Sequence, residues 1–235
     1  GKAGEVGVVY PRGAIPAMRV LVVGLGKRDD FNLEGVRQAA ASGIKQARQL
    51  KAKNVATIVH GAGVGGLDVE TAAQATTEGS LLALYRFAAT KKESEPPHEI
   101  DSLTIVEFDE SKIPAIEAGS RQAQAIAAGV ALARDLVNMP PNVATPTKMA
   151  ETAESIASEH NLKITVGDRA WAAERSMGGF LAVAKGAGEP PKFIVLAHNA
   201  DREDLDTIVL VGKGITFDNG GISIKKKKKM EAMKS

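Results

Sequence analysis

Hydrophobic residues recur along this chain with two different spacings. Short apolar runs bounded by Gly, Pro or polar residues predict β-strands, and they cover residues 6–10, 18–23, 55–59, 103–108, 162–166, 193–197 and 207–211. Longer stretches with an apolar residue every three or four positions predict α-helices, and they cover residues 32–53, 68–89, 113–137, 147–160 and 171–177. Because strands and helices alternate, we predict an α/β fold with a substantially parallel sheet.

Start signals and strand composition refine this prediction. Asn32, Asp68 and the Thr145-Pro146 pair stand before or at the start of three helices, where capping side chains and a first-turn proline are favoured. The last two predicted strands are continuously apolar, which is typical of strands buried on both faces of a sheet. We therefore expect the strand that ends at Val211 to lie inside the protein.

The helix predicted over residues 113–137 divides the chain into two α/β blocks. It is alanine-rich, and the proline-bearing residues 138–142 end it. The prediction is a first domain over residues 1–112, a connecting helix, and a second domain over residues 138–235. The charged, proline-bearing residues 91–99 are predicted to form an exposed loop.

Composition excludes several classes of protein. The chain has no cysteine, which rules out disulfides, thiolate nucleophiles and zinc fingers, and is compatible with a cytosolic location. No apolar run approaches the roughly 18 residues of a membrane span. The 30 Lys and Arg include five consecutive lysines at 225–229; the rest of the chain has 25 against 28 acidic residues. Charge therefore does not indicate nucleic-acid binding.

The chemistry-bearing stretch is residues 212–225, which read GKGITFDNGGISIK. A predicted strand runs directly into it, and ligands of open α/β sheets bind at that edge. Lys213 and Asp218 are five residues apart, so they could pair with each other or share a metal ion. A surface turn with two solvated charges is the alternative, and the spacing alone does not decide between them.

Residues 212–225 resemble the metal-binding segment of the leucyl aminopeptidases, cytosolic exopeptidases with two metal ions. Residues 230–234 (MEAMK) are similar to the stretch that follows it, and residues 134–142 (RDLVNMPPN) with Thr145-Pro146 to the entry of that family's catalytic domain. The resemblance implies a macro-domain-like N-terminal α/β domain, joined by a helix to the beginning of an α/β metallo-exopeptidase domain.

The resemblance also implies a mechanism. Lys213 and Asp218 would be metal ligands, Lys225 would be the catalytic lysine that stabilises an oxyanion, and Met233 would line the pocket for the substrate's first side chain. Two divalent ions, zinc or manganese with magnesium or cobalt as alternatives, would activate a bridging water. A bicarbonate ion would relay the proton. Peptides with a free N-terminus would be the substrates of a cytoplasmic homohexamer.

The sequence departs from the family pattern in two places. The family has an aspartate ligand directly after the position of Ser235, followed by further ligands, and the chain begins at Gly1 rather than Met. We therefore expect the chain to be about the middle half of a longer enzyme. The family has small residues or proline where Lys226–Lys229 stand, and a solvated loop is expected there, with anion or nucleic-acid contact as the alternative.

A second function is kept as an alternative. The chain could be an inactive fragment or pseudoenzyme that binds an anion such as ADP-ribose, or supports assembly. Residues 61–66 match G-x-G-x-x-G. A dinucleotide site needs an acidic residue about 20 positions later, but position 86 is an arginine, so a structural turn is expected. His60 and His198 are expected to be structural, and the chain has neither H-E-x-x-H nor G-x-S-x-G.

Overall fold

The computed structural model describes residues 1–63, 65–87, 98–221, 223–226 and 230–234. These residues form two compact units, Gly1–Arg134 and Asp135–Ser235. The α/β class is confirmed, because helices and strands alternate in both units. The predicted boundaries at residues 112 and 137 stay a prediction.

The first unit contains four short strands and three long helices. The elements, in chain order, are β1 (Val6–Val9), β2 (Val20–Val23), α1 (Leu33–Gln49), β3 (Asn54–Thr57), α2 (Val69–Leu84), β4 (Ser102–Ile105) and the start of α3 (Ile113–Asn138). β1 pairs with β2 in antiparallel register, and β3 pairs with β4 in parallel register.

The two predicted caps of the first unit are present. The side chain of Asn32 accepts a hydrogen bond from the Gly35 amide at 3.1 Å, and that of Asp68 accepts one from the Thr71 amide at 3.0 Å. Each bond satisfies an amide that has no partner within the helix. α2 ends at Leu84, short of the predicted residue 89, because the next residue has an extended backbone.

Small residues let the helices of the first unit approach closely. A Cβ atom on Gly79 of α2 would overlap the backbone of Arg37 in α1, and one on Gly119 of α3 would overlap the backbone of Glu70 in α2. Ala72 and Ala73 of α2 pack with Ile116 of α3 in the core of this unit. Close contact between these helices therefore depends on the absence of side chains at two positions.

The second unit is smaller. It contains α4 (Pro146–His160), β5 (Lys163–Gly167), α5 (Arg169–Glu174), α6 (Gly178–Ala184) and β6 (Phe193–Ala197), with β5 and β6 antiparallel. The side chain of Thr145 caps α4 as predicted, accepting from the Lys148 amide at 3.2 Å. α5 begins and ends earlier than the predicted 171–177, and the glycine-initiated α6 was not predicted.

Aromatic rings fix the packing of this unit. Trp171 of α5 stacks on Phe193 of β6 with ring centroids 5.5 Å apart, and Phe180 of α6 meets Phe193 edge-on at 5.8 Å. Stacked and edge-on pairs are the favoured arrangements of aromatic rings. Trp171 is therefore a packing residue.

Two predictions about the sheet were wrong. The substantially parallel sheet is absent from the described residues, where three separate strand pairs occur and only β3–β4 is parallel. Residues 207–211 form no strand, and Ile208 to Val211 are 73–93% exposed. An apolar run becomes a buried strand only when other strands pair with it and helices cover it, and no described segment pairs with this one.

Two further predictions concern segments that the structure describes only in part. Residues 91–97 of the predicted exposed loop and residues 227–229 of the lysine run lie outside the described residues, and Lys226 is exposed. Among the helices that are described, none is long and apolar enough to cross a membrane.

Candidate active site

Three of the four predicted site residues lie together, with two lysines in contact with the carboxylate of Asp218. In the second unit, Oδ2 of Asp218 accepts hydrogen bonds from Nζ of Lys213 at 2.8 Å and lies 3.2 Å from Nζ of Lys225. The sequence left open whether Lys213 and Asp218 pair with each other, share a metal ion or are solvated independently. They pair, and Lys225 joins them.

The turn that carries Asp218 is shaped by its own glycines. The Gly220 amide donates to Oδ1 of Asp218 at 3.1 Å, so both carboxylate oxygens are engaged. Gly220 has φ +86° and Gly221 has φ +62°, which is a left-handed conformation that favours glycine. A Cβ atom on Gly220 would also overlap the carbonyl oxygen of Ser223. The doubled glycine is therefore required by the turn.

Asn219 holds the other end of this turn. Its carbonyl oxygen accepts from the Lys225 amide at 2.8 Å, and its side-chain Oδ1 accepts from the Gly221 amide at 2.9 Å. These bonds bring the chain back on itself, so that Lys225 lies beside Asp218 although seven positions separate them. Asn219 was not predicted as a site residue, and its position directly before the two glycines was the available signal.

The fourth predicted residue reaches the site through its backbone. The Asp218 amide donates to the Met233 carbonyl oxygen at 2.6 Å, and the Met233 side chain is buried, with the residue 4% exposed. Met233 belongs to a short 3-10 helix, Met230–Met233. The next residue, Lys234, donates from Nζ to the carbonyl oxygen of Leu136 at 3.0 Å. Neither contact was foreseen from the sequence.

The local charges keep Asp218 ionised. Hydrogen bonds from Lys213, then from Lys225, then from the Gly220 amide lower the pKa of Asp218 to about 2. Lys213 is the most exposed of the three side chains at 69%, whereas Asp218 is 28% exposed. Asp218 therefore keeps its negative charge between two ammonium groups that solvent can reach.

The donor chemistry of this pair suits a divalent cation. Asp218 supplies a hard carboxylate oxygen, and Lys213 supplies a nitrogen that coordinates after losing its proton. Their 2.8 Å separation is close to the distance of roughly 3 Å between adjacent ligands of one ion bound at about 2.1 Å. Within the described ranges, no group of three or more His, Cys, Asp or Glu residues could hold a metal ion.

None of the remaining candidates is among the hydrogen-bond or ion-pair partners that the described residues give this carboxylate. His60 belongs to the first unit, and burial lowers the pKa of its imidazole, so it is neutral at physiological pH. His198 and His160 line a polar depression of about 270 Å³ where β5 begins and β6 ends. In the glycine-rich turn, the Leu67 amide donates to the Gly61 carbonyl oxygen at 3.1 Å, although residue 64 lies outside the described residues.

Two family models match the chain. The model for the N-terminal domain of the cytosol aminopeptidase family matches residues 1–94, and the model for the catalytic domain of the same family matches residues 131–235. The second match contains all four predicted site residues.

Curated relatives match along the whole chain. A probable cytosol aminopeptidase of Roseiflexus castenholzii is 44% identical over 239 residues, which cover 100% of this chain and 48% of the relative. The cytosol aminopeptidase of Pseudomonas aeruginosa is 39% identical over 235 residues, covering 100% of this chain and 47% of the relative. The chain thus spans about half the length of these relatives.

Solved structures agree with the sequence matches. The bottromycin maturation enzyme BotP in complex with Mn is 29% identical, with a TM-score of 0.80 over 99% of this chain and 47% of that one. A mutant of tomato leucine aminopeptidase is also 29% identical, with a TM-score of 0.71 over 83% of this chain and 38% of that one. Both are similar to this chain in fold as well as in sequence.

Proposed function

This chain belongs to the cytosol aminopeptidase family, and from that premise we propose that the whole protein removes N-terminal residues from peptides in a metal-dependent reaction. The observation that carries the proposal is the convergence of Lys213 and Lys225 on the Asp218 carboxylate. These are the residue types, at the positions, that the family resemblance assigns to metal binding and catalysis.

Asp218 and Lys213 would hold the metal. The Asp218 pKa of about 2 keeps the carboxylate charged at every physiological pH, and its backbone is fixed by the Met233 carbonyl. Lys213 already lies within hydrogen-bonding distance of the same oxygen, so it would exchange its proton for the cation with little movement. A bound divalent ion would supply an acidified water and a Lewis acid for the peptide carbonyl.

Lys225 would act on the substrate. Its Nζ is 3.2 Å from Asp218 Oδ2, and its backbone amide is fixed by the Asn219 carbonyl. An ammonium group held next to the metal ligand is placed to stabilise the oxyanion that develops on the scissile carbonyl.

The finer points of the proposal rest on the family resemblance. We propose manganese or zinc as the metal pair, with a bicarbonate ion as proton carrier, and a preference for leucine-like first residues through a pocket that includes Met233. We also propose a homohexamer in the cytoplasm. The presence of Mn in the BotP structure is a reason to begin with that ion.

The test uses the full-length protein, stripped of metal and resupplied with Mn²⁺ or Zn²⁺. A peptide with an N-terminal leucine and its N-acetylated form are incubated separately with the protein, and the products are identified by mass spectrometry. We expect stepwise loss of single residues from the free peptide only, and no reaction in excess chelator. A folded protein that cleaves neither peptide with either ion would overturn the proposal and favour the alternative of a binding or assembly module.

A further inference from the structure

The side chain of Lys234 ties the end of the described chain to a helix terminus. Its Nζ donates to the carbonyl oxygen of Leu136 at 3.0 Å, across 98 positions of sequence. Leu136 is two residues before the end of α3 (Ile113–Asn138), so its carbonyl is one of the four that find no amide within the helix. A lysine at that end also meets the negative pole of the helix dipole.

The same peptide unit contacts the candidate active site. The bond that joins Met233 to Lys234 begins at the Met233 carbonyl, and this carbonyl accepts from the Asp218 amide at 2.6 Å. Met233 itself is buried. A shift of the Lys234 backbone would therefore move the acceptor on which the Asp218 backbone rests.

From the Asp218 backbone the contacts continue to the charged groups. Its carboxylate lies between Nζ of Lys213 at 2.8 Å and Nζ of Lys225 at 3.2 Å. A continuous series of hydrogen bonds and one covalent link thus runs from the end of α3 to the three side chains. Lys234 is the single side chain in the series that reaches the helix.

We propose that Lys234 is a positioning residue of the active site, which anchors residues 230–234 to the end of α3 and thereby fixes Asp218 in its ligand position. This inference rests on the proposed function for its catalytic consequence. Lys234 makes its hydrogen bond to the helix and not to the Asp218 carboxylate, so it acts through the Met233 peptide. Removing a group that hydrogen-bonds directly to a metal ligand typically changes metal affinity or activity by about 10–100-fold, and we expect the lower end of that range for Lys234, which is one contact further out.

The test compares K234M, K234R and K163M with the wild type in the full-length protein. K234M keeps the aliphatic stem and removes the donor, whereas K234R keeps a cationic donor. K163M is the matched control, because Lys163 is an exposed lysine of the same unit at the start of β5. Three quantities are measured: the Kd for Mn²⁺ by calorimetry, kcat and KM separately, and hydrogen exchange of the peptide containing residues 213–225 in metal-free protein.

For K234M we expect about a 10-fold higher Kd for Mn²⁺ and a similar loss of kcat, with KM within about twofold. Exchange in residues 213–225 should accelerate several-fold, and K234R should recover most of each effect. Unchanged exchange in K234M, or a K234R as defective as K234M, would overturn the inference. If the wild type neither binds Mn²⁺ nor cleaves peptides, the proposed function fails, and the exchange measurement still decides whether Lys234 positions Asp218.

Discussion

Arg37 of α1 and Glu78 of α2 form a short, largely buried ion pair, with Nε 2.6 Å from Oε2 and the Glu78 side chain 7% exposed. The other carboxylate oxygen accepts from Nε2 of Gln74 at 2.7 Å. Both oxygens of a buried carboxylate are therefore satisfied, at the interface that also contains Gly79. This pair fixes how the two helices face each other.

R37M should destabilise the first unit by about 3 kcal/mol, because it leaves the buried Glu78 charge with one neutral partner. The measurement is denaturant unfolding followed by far-UV circular dichroism. R121M is the matched control: Arg121 pairs with Glu117 at 3.7 Å with both side chains exposed, and such pairs contribute about 0–1 kcal/mol. The double variant R37M/E78M should recover much of the loss. An R37M protein as stable as R121M would contradict this account of the interface.

Glycine-to-alanine changes should lower the stability at two helical positions and raise it at a third. G79A and G119A place a methyl group on the backbone of a neighbouring helix, so we expect each to destabilise despite the better helix propensity of alanine. G129A in α3 has nothing within 4 Å of the new methyl group and should gain up to about 1 kcal/mol. Thermal unfolding of the three variants measures this. Stabilisation by all three would show that the helices are not held at the observed distance.

Asp68 should make the first unit's stability depend on pH in acid. Hydrogen bonds from Thr71, at the start of α2, lower the pKa of this carboxyl below its ordinary value of 3.8. The stabilisation is therefore present above about pH 4 and is lost as the pH falls through the native pKa. D68N keeps an acceptor for the cap and cannot titrate. The advantage of wild type over D68N at pH 5 should shrink as the pH is lowered towards 2, and a constant difference would refute the linkage.

D218N should greatly weaken metal binding by the full-length protein. The amide keeps the shape of the side chain but lacks the charge that Lys213, Lys225 and a cation would share, so we expect at least a 100-fold rise in the Kd for Mn²⁺. Calorimetry measures this without reference to activity. D204N is the control, since Asp204 is an exposed acid of the same unit that pairs with Arg202 at 2.6 Å. Equal Mn²⁺ affinity in both variants would remove Asp218 from the metal site.

The local parts of the fold were predictable from sequence. Asn32, Asp68 and Thr145 cap helices as expected, because a capping bond involves residues three positions apart and leaves a readable pattern. Strand pairing was less accessible. β1 and β2 form an antiparallel pair across a turn, and β5 and β6 also run antiparallel, whereas alternation of elements alone favoured parallel pairing.

The sequence predicted those parts of the site that depend on the identity of a side chain. Lys213, Asp218 and Lys225 were selected by residue type and motif, and the structure brings them together. The contacts of Met233 and Leu136, and the bond from the Lys225 amide to Asn219, involve backbone carbonyl oxygens, which every residue possesses. Such bonds leave no trace in residue type, so only coordinates reveal which segments they join.

The exposed segment at residues 207–211 has a consequence for handling the chain by itself. Its sequence, TIVLV, is β-branched or leucine throughout and has neither charge nor proline. An uncovered segment of this composition is a template for intermolecular β-pairing. A preparation of these 235 residues alone should therefore tend to form assemblies rich in cross-strand hydrogen bonds, and a chaperone that recognises extended apolar segments would find its binding sequence immediately before Gly212.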